Sequence, residues 1–312
     1  MVYKDFLIPR LALYSFYSSY FKAYETKRNR KWGDIAMIRN SGDTADERLN
    51  IIVLLKQVPD IEEVKFDTEK GTLDRSSARA EPNPFDLNAL EAGVQIKEKS
   101  GGTVTVVSMG PPQAESALRD ALARGADRAI LLTDKNFGGA DTLATSYTLA
   151  SAIKKLGNFD LIICGEKTVD GDTGQVGPEV AEHLGIPHIA YVSEIKKCEK
   201  DGFVIVSQVG EYCYLTELKP IGLITVTKDI NQPRLPSLRD KLKARKSEIE
   251  IWSAGDLTNG AESNKFGIMG SPTSVYKITI PSVEGRRGKI FRGTSDESAK
   301  KFVEEFKKVL KV

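Results

Sequence analysis

One continuous stretch holds the most suggestive chemistry of the chain: Gly165-Glu166-Lys167-Thr168-Val169-Asp170-Gly171-Asp172-Thr173-Gly174-Gln175-Val176-Gly177-Pro178. It follows a short aliphatic run at 161–164 and leads into a helical pattern whose apolar positions include Val180, Ala181 and Leu184. Gly171, Gly174 and Gly177 let the backbone approach a ligand closely, and Thr173 and Gln175 offer side-chain donors. A helix that starts here turns its free amides and the positive end of its dipole toward an anion. The chemistry this favours is the holding of a phosphate. The stretch matches neither a Walker loop nor G-x-G-x-x-G, and glycine-rich strand-to-helix loops also occur as plain turns.

Two further loops bear on the same question. Ser108-Met109-Gly110-Pro111-Pro112 ends a strand and begins a helix with prolines in its first turn, a shelf on which an adenine ring could lie against backbone and Met109. Pro82-Asn83-Pro84-Phe85-Asp86 opens another helix, for which Asp86 can serve simply as a favourable first-turn acid.

These loops need strands to place them. Residues 50–55, 103–108, 129–133 and 161–164 are short aliphatic runs bounded by turn residues, and helical patterns at 84–99, 113–124 and 141–156 alternate with them. That alternation predicts an α/β fold, a Rossmann-like parallel sheet with helices on both faces and ligand-bearing loops at the carboxyl ends of its strands. After Pro187 the segments 191–197, 202–209, 212–218 and 222–228 are expected to extend the sheet as antiparallel strands. A basic helix at 238–246, expected to pack Leu238, Leu242 and Ala244 by one face, leads to a final charged helix at 295–310. The implied division is an N-terminal extension at 1–49, a nucleotide-binding α/β domain at 50–232, and a docking segment and C-terminal arm at 233–312. The extension is crowded with aromatics and ends in Lys27-Arg28-Asn29-Arg30-Lys31, without the long apolar core and small-residue cleavage site of a secretory leader.

Composition narrows the function classes. Lys and Arg number 45 against 43 Asp and Glu, so net charge supplies no attraction for nucleic acid, and no run approaches the roughly 18 apolar residues of a membrane span. Cys164, Cys198 and Cys213 are odd in number and form no C-x-x-C pair, consistent with a reducing cytoplasm. Asp170 and Asp172 make a poor metal cage, and His183 and His188 lack ligand spacing on one helix face, so no metal site is expected.

Taken together, Val53-Leu54-Leu55-Lys56-Gln57-Val58-Pro59-Asp60, Asn83-Pro84-Phe85-Asp86, Val107-Ser108-Met109-Gly110-Pro111, Arg124-Gly125-Ala126-Asp127-Arg128 and the 165–178 loop stand in the order found in electron-transfer flavoprotein beta subunits. The resemblance runs from about Asn50 to Leu257. It implies a domain of the adenine-nucleotide alpha-hydrolase-like type, paired with an alpha subunit that carries an electron-transferring FAD. By position, Leu54, Asn83, Pro84, Phe85, Asp86, Met109, Gly165, Glu166, Lys167, Thr168, Val169, Asp170, Gly171, Asp172, Thr173, Gly174, Gln175 and Val176 would line the nucleotide site. Asn231-Gln232-Pro233-Arg234-Leu235-Pro236-Ser237-Leu238 is similar to the family's segment for docking partner dehydrogenases. Ordinary members hold AMP and carry an acidic run followed by Cys-Asn-Gln-Thr. The Asp170–Pro178 version instead resembles the flavin-bifurcating, Fix-like branch, which implies FAD in place of AMP and NADH as hydride donor. The electrons would then be divided between the alpha-subunit FAD and a ferredoxin-like acceptor. The implied setting is cytoplasmic, with membrane association only through partner flavoproteins. No residue of this chain is expected to act as an acid, base or nucleophile, because the cofactor carries the chemistry.

Overall fold

The computed structural model describes residues 48–59, 65–67, 72–74, 80–257, 260–274 and 288–310. The expectations for residues 1–47 lie outside them. Two compact units are distinguished: one comprises residues 1–65 and 74–274, the other 66–73 and 275–312.

The first unit is built on β1 (Leu49–Leu54), whose sequence Leu-Asn-Ile-Ile-Val-Leu is almost wholly buried. A strand with both faces covered has no polar face, so it reads as a continuous apolar run. Its side chains alternate between two cores. Ile51 and Val53 join Ala89, Leu90 and Val94 of α1 (Pro84–Ser100) on one face, with Leu118 of α2 (Glu115–Ala123). Ile52 and Leu54 join Leu149 and Ile153 of α3 (Thr142–Leu156) and Val180 of α4 (Val176–Leu184) on the other.

Around β1, strands β6 (Gly102–Met109), β7 (Arg128–Leu132) and β8 (Leu161–Gly165) run parallel. Beyond β8 lie β12 (Gly222–Val226), β9 (His188–Glu199), β10 (Gly202–Val209) and β11 (Tyr212–Leu218), and the far edge beyond β7 is β13 (Glu250–Trp252). The sheet order is β11-β10-β9-β12-β8-β1-β6-β7-β13, parallel except where β10 pairs with β9 and β11. The fold is therefore mixed α/β with a mostly parallel sheet and an antiparallel extension.

The segment 222–228 departs from expectation. β12 is parallel to both β8 and β9, with every residue buried. After the β9–β11 meander the chain returns to the interior and inserts between β9 and β8. Four consecutive side chains, Leu223 to Val226, match a strand covered on both faces better than the alternation of an edge strand. Two short pairings were also not anticipated. β13 joins β7, and β2 (Gln57–Pro59) pairs antiparallel with β5 (Ala80–Pro82), closing the stretch between β1 and α1.

Strands β3 (Lys65–Asp67) and β4 (Thr72–Asp74) form a two-stranded ribbon. In the second unit, α6 (Ser295–Leu310) stacks Phe302 on Phe306 at 5.6 Å, meets Phe291 edge-on at 6.1 Å, and pairs Glu305 with Lys289.

Candidate functional site

A cavity of about 710 Å³ opens at the carboxyl ends of β1, β6 and β8, where parallel sheets place ligands. This volume falls within the range of roughly 300–1,000 Å³ typical of small-molecule sites. Leu54, Val107, Met109 and Leu149 supply apolar wall, and the 165–177 loop supplies backbone and short polar side chains. No side chain caps the amino end of α4 at Gln175, so the first-turn amides of Gln175, Val176 and Gly177 border the cavity as donors for an anion.

Two buried residues hold this wall together. Asp86 is 5% exposed; its carboxylate accepts from the Lys56 amide at 2.8 Å and the Gly165 amide at 3.0 Å. Burial pushes its pKa up to about 7, against the pull of those amides, the Asn83 side chain and the Lys56 charge. Asn83 is fully buried and works in parallel. Its Nδ2 donates to the Lys167 carbonyl at 2.9 Å, its Oδ1 accepts from the Val169 amide at 3.2 Å, and its own amide donates to the Lys56 carbonyl at 2.8 Å. The loop after β1, the start of α1 and the loop after β8 are thus one hydrogen-bonded unit. The sequence reading of Asp86 as a mere first-turn acid is superseded, because its carboxylate bonds to distant backbone.

Charges in the loop are paired. Lys56 Nζ lies 2.7 Å from Asp170, and Lys167 Nζ lies 2.7 Å from Asp172. Burial raises the Asp170 carboxyl, but the Lys56 ammonium and the Thr168 hydroxyl outweigh it and hold the group below its ordinary range. Glu166, by contrast, is raised by burial. Asp172 takes a left-handed backbone (φ 53°) and donates its amide to the Thr168 carbonyl at 2.8 Å, closing a turn that an arriving phosphate would meet at Gly171 and Gly174.

Leu54, Asp86, Met109, Gly165, Glu166, Lys167, Thr168, Gly171, Thr173, Gly174, Gln175 and Val176 lie on the cavity wall. Asn83, Val169, Asp170 and Asp172 sit behind it and brace the loop, Pro84 begins α1, and Phe85 packs behind Gly165. Sequence reasoning missed a further part of the lining: Phe137, Gly139, Ala140, Asp141, Thr142 and Thr145. Here α3 presents a second helix amino end, capped by Asp141, which accepts from the Ala144 amide at 3.1 Å. The signal was Asp141-Thr142 after Gly138-Gly139, an N-cap pattern behind a glycine pair that follows the third parallel strand. Thr142 also donates its hydroxyl to Glu179 of α4 at 3.2 Å, tying the two helix ends together.

Away from the cavity, the segment 229–247 is fixed by its backbone carbonyls and by the Arg234 and Asn231 side chains; Ile230 and Ala244 pack inward, while Leu235, Leu238 and Leu242 face outward. Arg234 pairs with Glu91 at 2.8 Å and Glu98 at 2.6 Å, and Arg124 donates to the Arg234 carbonyl at 2.6 Å. Arg119 donates to the Ala244 carbonyl at 3.0 Å, at the end of α5 (Leu238–Lys246). Only Ala244 of α5 is buried; Leu235, Leu238 and Leu242 are 88%, 75% and 50% exposed. Of the face expected to pack, Ala244 alone does so among the described residues, and Leu238 and Leu242 lie exposed. Three outward leucines on a braced segment form an apolar patch ringed by Arg239, Lys241, Lys243, Arg245 and Lys246. Among the described residues no helix is long and apolar enough to cross a membrane.

The electron transfer flavoprotein domain family matches residues 70–257. An electron transfer flavoprotein subunit beta of Clostridium acetobutylicum is 46% identical over 261 residues, covering 83% of this chain and 98% of the relative. A caffeyl-CoA reductase-Etf complex subunit CarD of Acetobacterium woodii is 41% identical, with 83% and 98% covered. Protein FixA of Azorhizobium caulinodans is also 41% identical, with 77% and 87% covered.

Proposed function

This chain belongs to the electron transfer flavoprotein family as a beta subunit, and we propose that its cavity holds FAD rather than AMP and receives hydride equivalents from NADH. The carrying observation is the 165–177 loop, in which Gly171 and Gly174 border the cavity between the two helix amino ends of α3 and α4. A pyrophosphate needs donors along more than one phosphate, and the uncapped amino end of α4 together with the backbone of the glycine loop offers them, while the amino end of α3 is already capped by Asp141. FAD held here would supply two-electron and one-electron redox chemistry, with NADH as the proposed donor and the alpha-subunit FAD and a ferredoxin-like protein as the proposed acceptors.

The chain's own residues bind and orient. Leu54, Val107 and Met109 offer an apolar shelf for an adenine ring, and the amides of Gln175 to Gly177 face the phosphates. Asp86 and Asn83 keep the shelf and the loop in register. Lys56 and Lys167, each held by an acid of the loop, place positive charge beside the anion without collapsing onto it. The braced leucine patch at Leu235, Leu238 and Leu242 serves as the docking surface for a partner flavoprotein of dehydrogenase or membrane-associated type, and its basic ring favours an acidic socket. The alpha subunit is the obligate companion.

Co-purification with the alpha subunit, mild denaturation and chromatography of the released nucleotides tests this reading. Two FAD per heterodimer with no AMP is the expected result. One FAD with one AMP overturns it and makes this a redox-silent beta subunit.

A further inference from the structure

Strand β9 carries an irregularity at the ligand-bearing end of the sheet. In its parallel ladder with β12, Ile189 faces Ile224 and Val192 faces Val226, so β9 spends one more residue than its partner between those pairs. This is a bulge, and bulges re-aim side chains, often beside binding sites. Within it Tyr191 adopts φ 57°, a left-handed conformation that favours glycine. Its amide donates to Thr225 Oγ1 at 3.2 Å, anchoring the distortion to the buried strand β12. Beside this anchor, the Glu166 amide of the cavity loop donates to the Val226 carbonyl at 2.9 Å.

The bulge turns the Tyr191 phenol toward the cavity mouth. A Cβ placed on Gly174 would lie 3.9 Å from its oxygen, so the phenol and the glycine loop are neighbours. Gly174 and Lys167 both line the cavity, whereas Tyr191 stands at its rim, 44% exposed. Among the described residues its hydroxyl makes no hydrogen bond. What the partial burial of the ring contributes is therefore set against the strain of a left-handed backbone that glycine would not carry.

We propose that Tyr191 is a specificity-determining residue that selects a dinucleotide over a mononucleotide, its ring contacting the planar group that extends past Gly174 beyond the pyrophosphate. The inference rests on the FAD reading and deepens it. A mononucleotide seated on the Leu54 and Met109 shelf brings only a phosphate to the Gly171–Gly174 turn, with no planar group beyond it. A dinucleotide must pass it, and an aromatic face there stacks on a planar ring.

The complex with the alpha subunit, retaining its alpha-subunit flavin and stripped of the second nucleotide, is titrated calorimetrically with FAD and separately with AMP. Tyr191→Ala is expected to weaken FAD binding about tenfold and leave AMP binding within about twofold. Tyr191→Gly removes the ring and relieves the left-handed strain, so it should melt no lower than wild type while losing the same FAD affinity, which separates ring contact from folding. Equal losses for FAD and AMP, or FAD binding unchanged in both variants, overturn the role of Tyr191 and leave the FAD reading standing. A wild-type complex that takes AMP but no second FAD overturns both.

Discussion

Replacing Asp86 with Asn removes the only titrating group in the brace between Lys56 and Gly165. Both carboxylate oxygens accept backbone amides, at 2.8 and 3.0 Å. A protonated carboxyl keeps a lone pair on each oxygen, whereas the amide nitrogen of Asn has none, so one buried backbone donor is left facing another donor, at about 1–3 kcal/mol. The pH dependence gives the sharper test. The folded-state pKa is raised from 3.8 to about 7. Between those values the folded protein holds a proton that the unfolded chain has released. The carboxyl's contribution to stability is therefore fully present below the unfolded pKa and is lost as pH rises through the folded one. At a limit of 1.36 kcal/mol per pH unit, and with the folded group half-titrated near the upper end, wild type should lose about 2 kcal/mol from this source between about pH 5 and pH 7. The D86N variant lacks that loss. Urea unfolding of the full chain, followed by circular dichroism at several pH values, should show D86N less stable near the acid end and the gap closing by about 2 kcal/mol toward neutrality. A gap that stays constant across the range would refute the reasoning, since it would mean that the two amides keep Asp86 ionised throughout.

Two further substitutions probe the neighbouring braces. Gly165→Ala places a Cβ 2.6 Å from Asp86 Oδ1 and 2.6 Å from Phe85 Cβ, so overpacking should cost about 1–3 kcal/mol and reduce nucleotide occupancy. An unchanged melting temperature with full occupancy would show that the loop can step away from α1. Arg234→Ala leaves Glu91, only 6% exposed, without its guanidinium. The loss should be about 2 kcal/mol, less than for a fully buried pair because Arg234 is partly solvated. Trypsin should then cut within 239–246 faster than in wild type, and an unaltered cleavage rate would show that Arg119 and Arg124 hold the segment without it.

Much of the scaffold was legible in the chain. Aliphatic runs at β1, β6, β7 and β8 alternate with helical periodicity, and a strand covered on both faces has no other composition available to it. Glycines 171, 174 and 177 beside a helix start marked a loop that lines the cavity for the same local reason: close approach and free amides are properties of a few consecutive residues. Even β12 carried its signal in Leu223 to Val226, obscured by the expectation that successive strands after a meander stay antiparallel.

What the sequence alone determined was thus the set of elements and the character of each loop, because hydrophobic period, caps and glycine content are local. The tertiary structure decided which loops share one cavity, bringing the amino end of α3 beside that of α4. It decided that Asn83 and Asp86 face distant backbone rather than their own helix, and that Leu238 and Leu242 find no cover among the described residues. It also decided that a one-residue bulge in β9 turns Tyr191 toward Gly174. Each outcome depends on groups far apart in sequence meeting in space. Desolvation, which lifts the Asp86 pKa, and strand register, which aims Tyr191, arise only when those distant segments pack together.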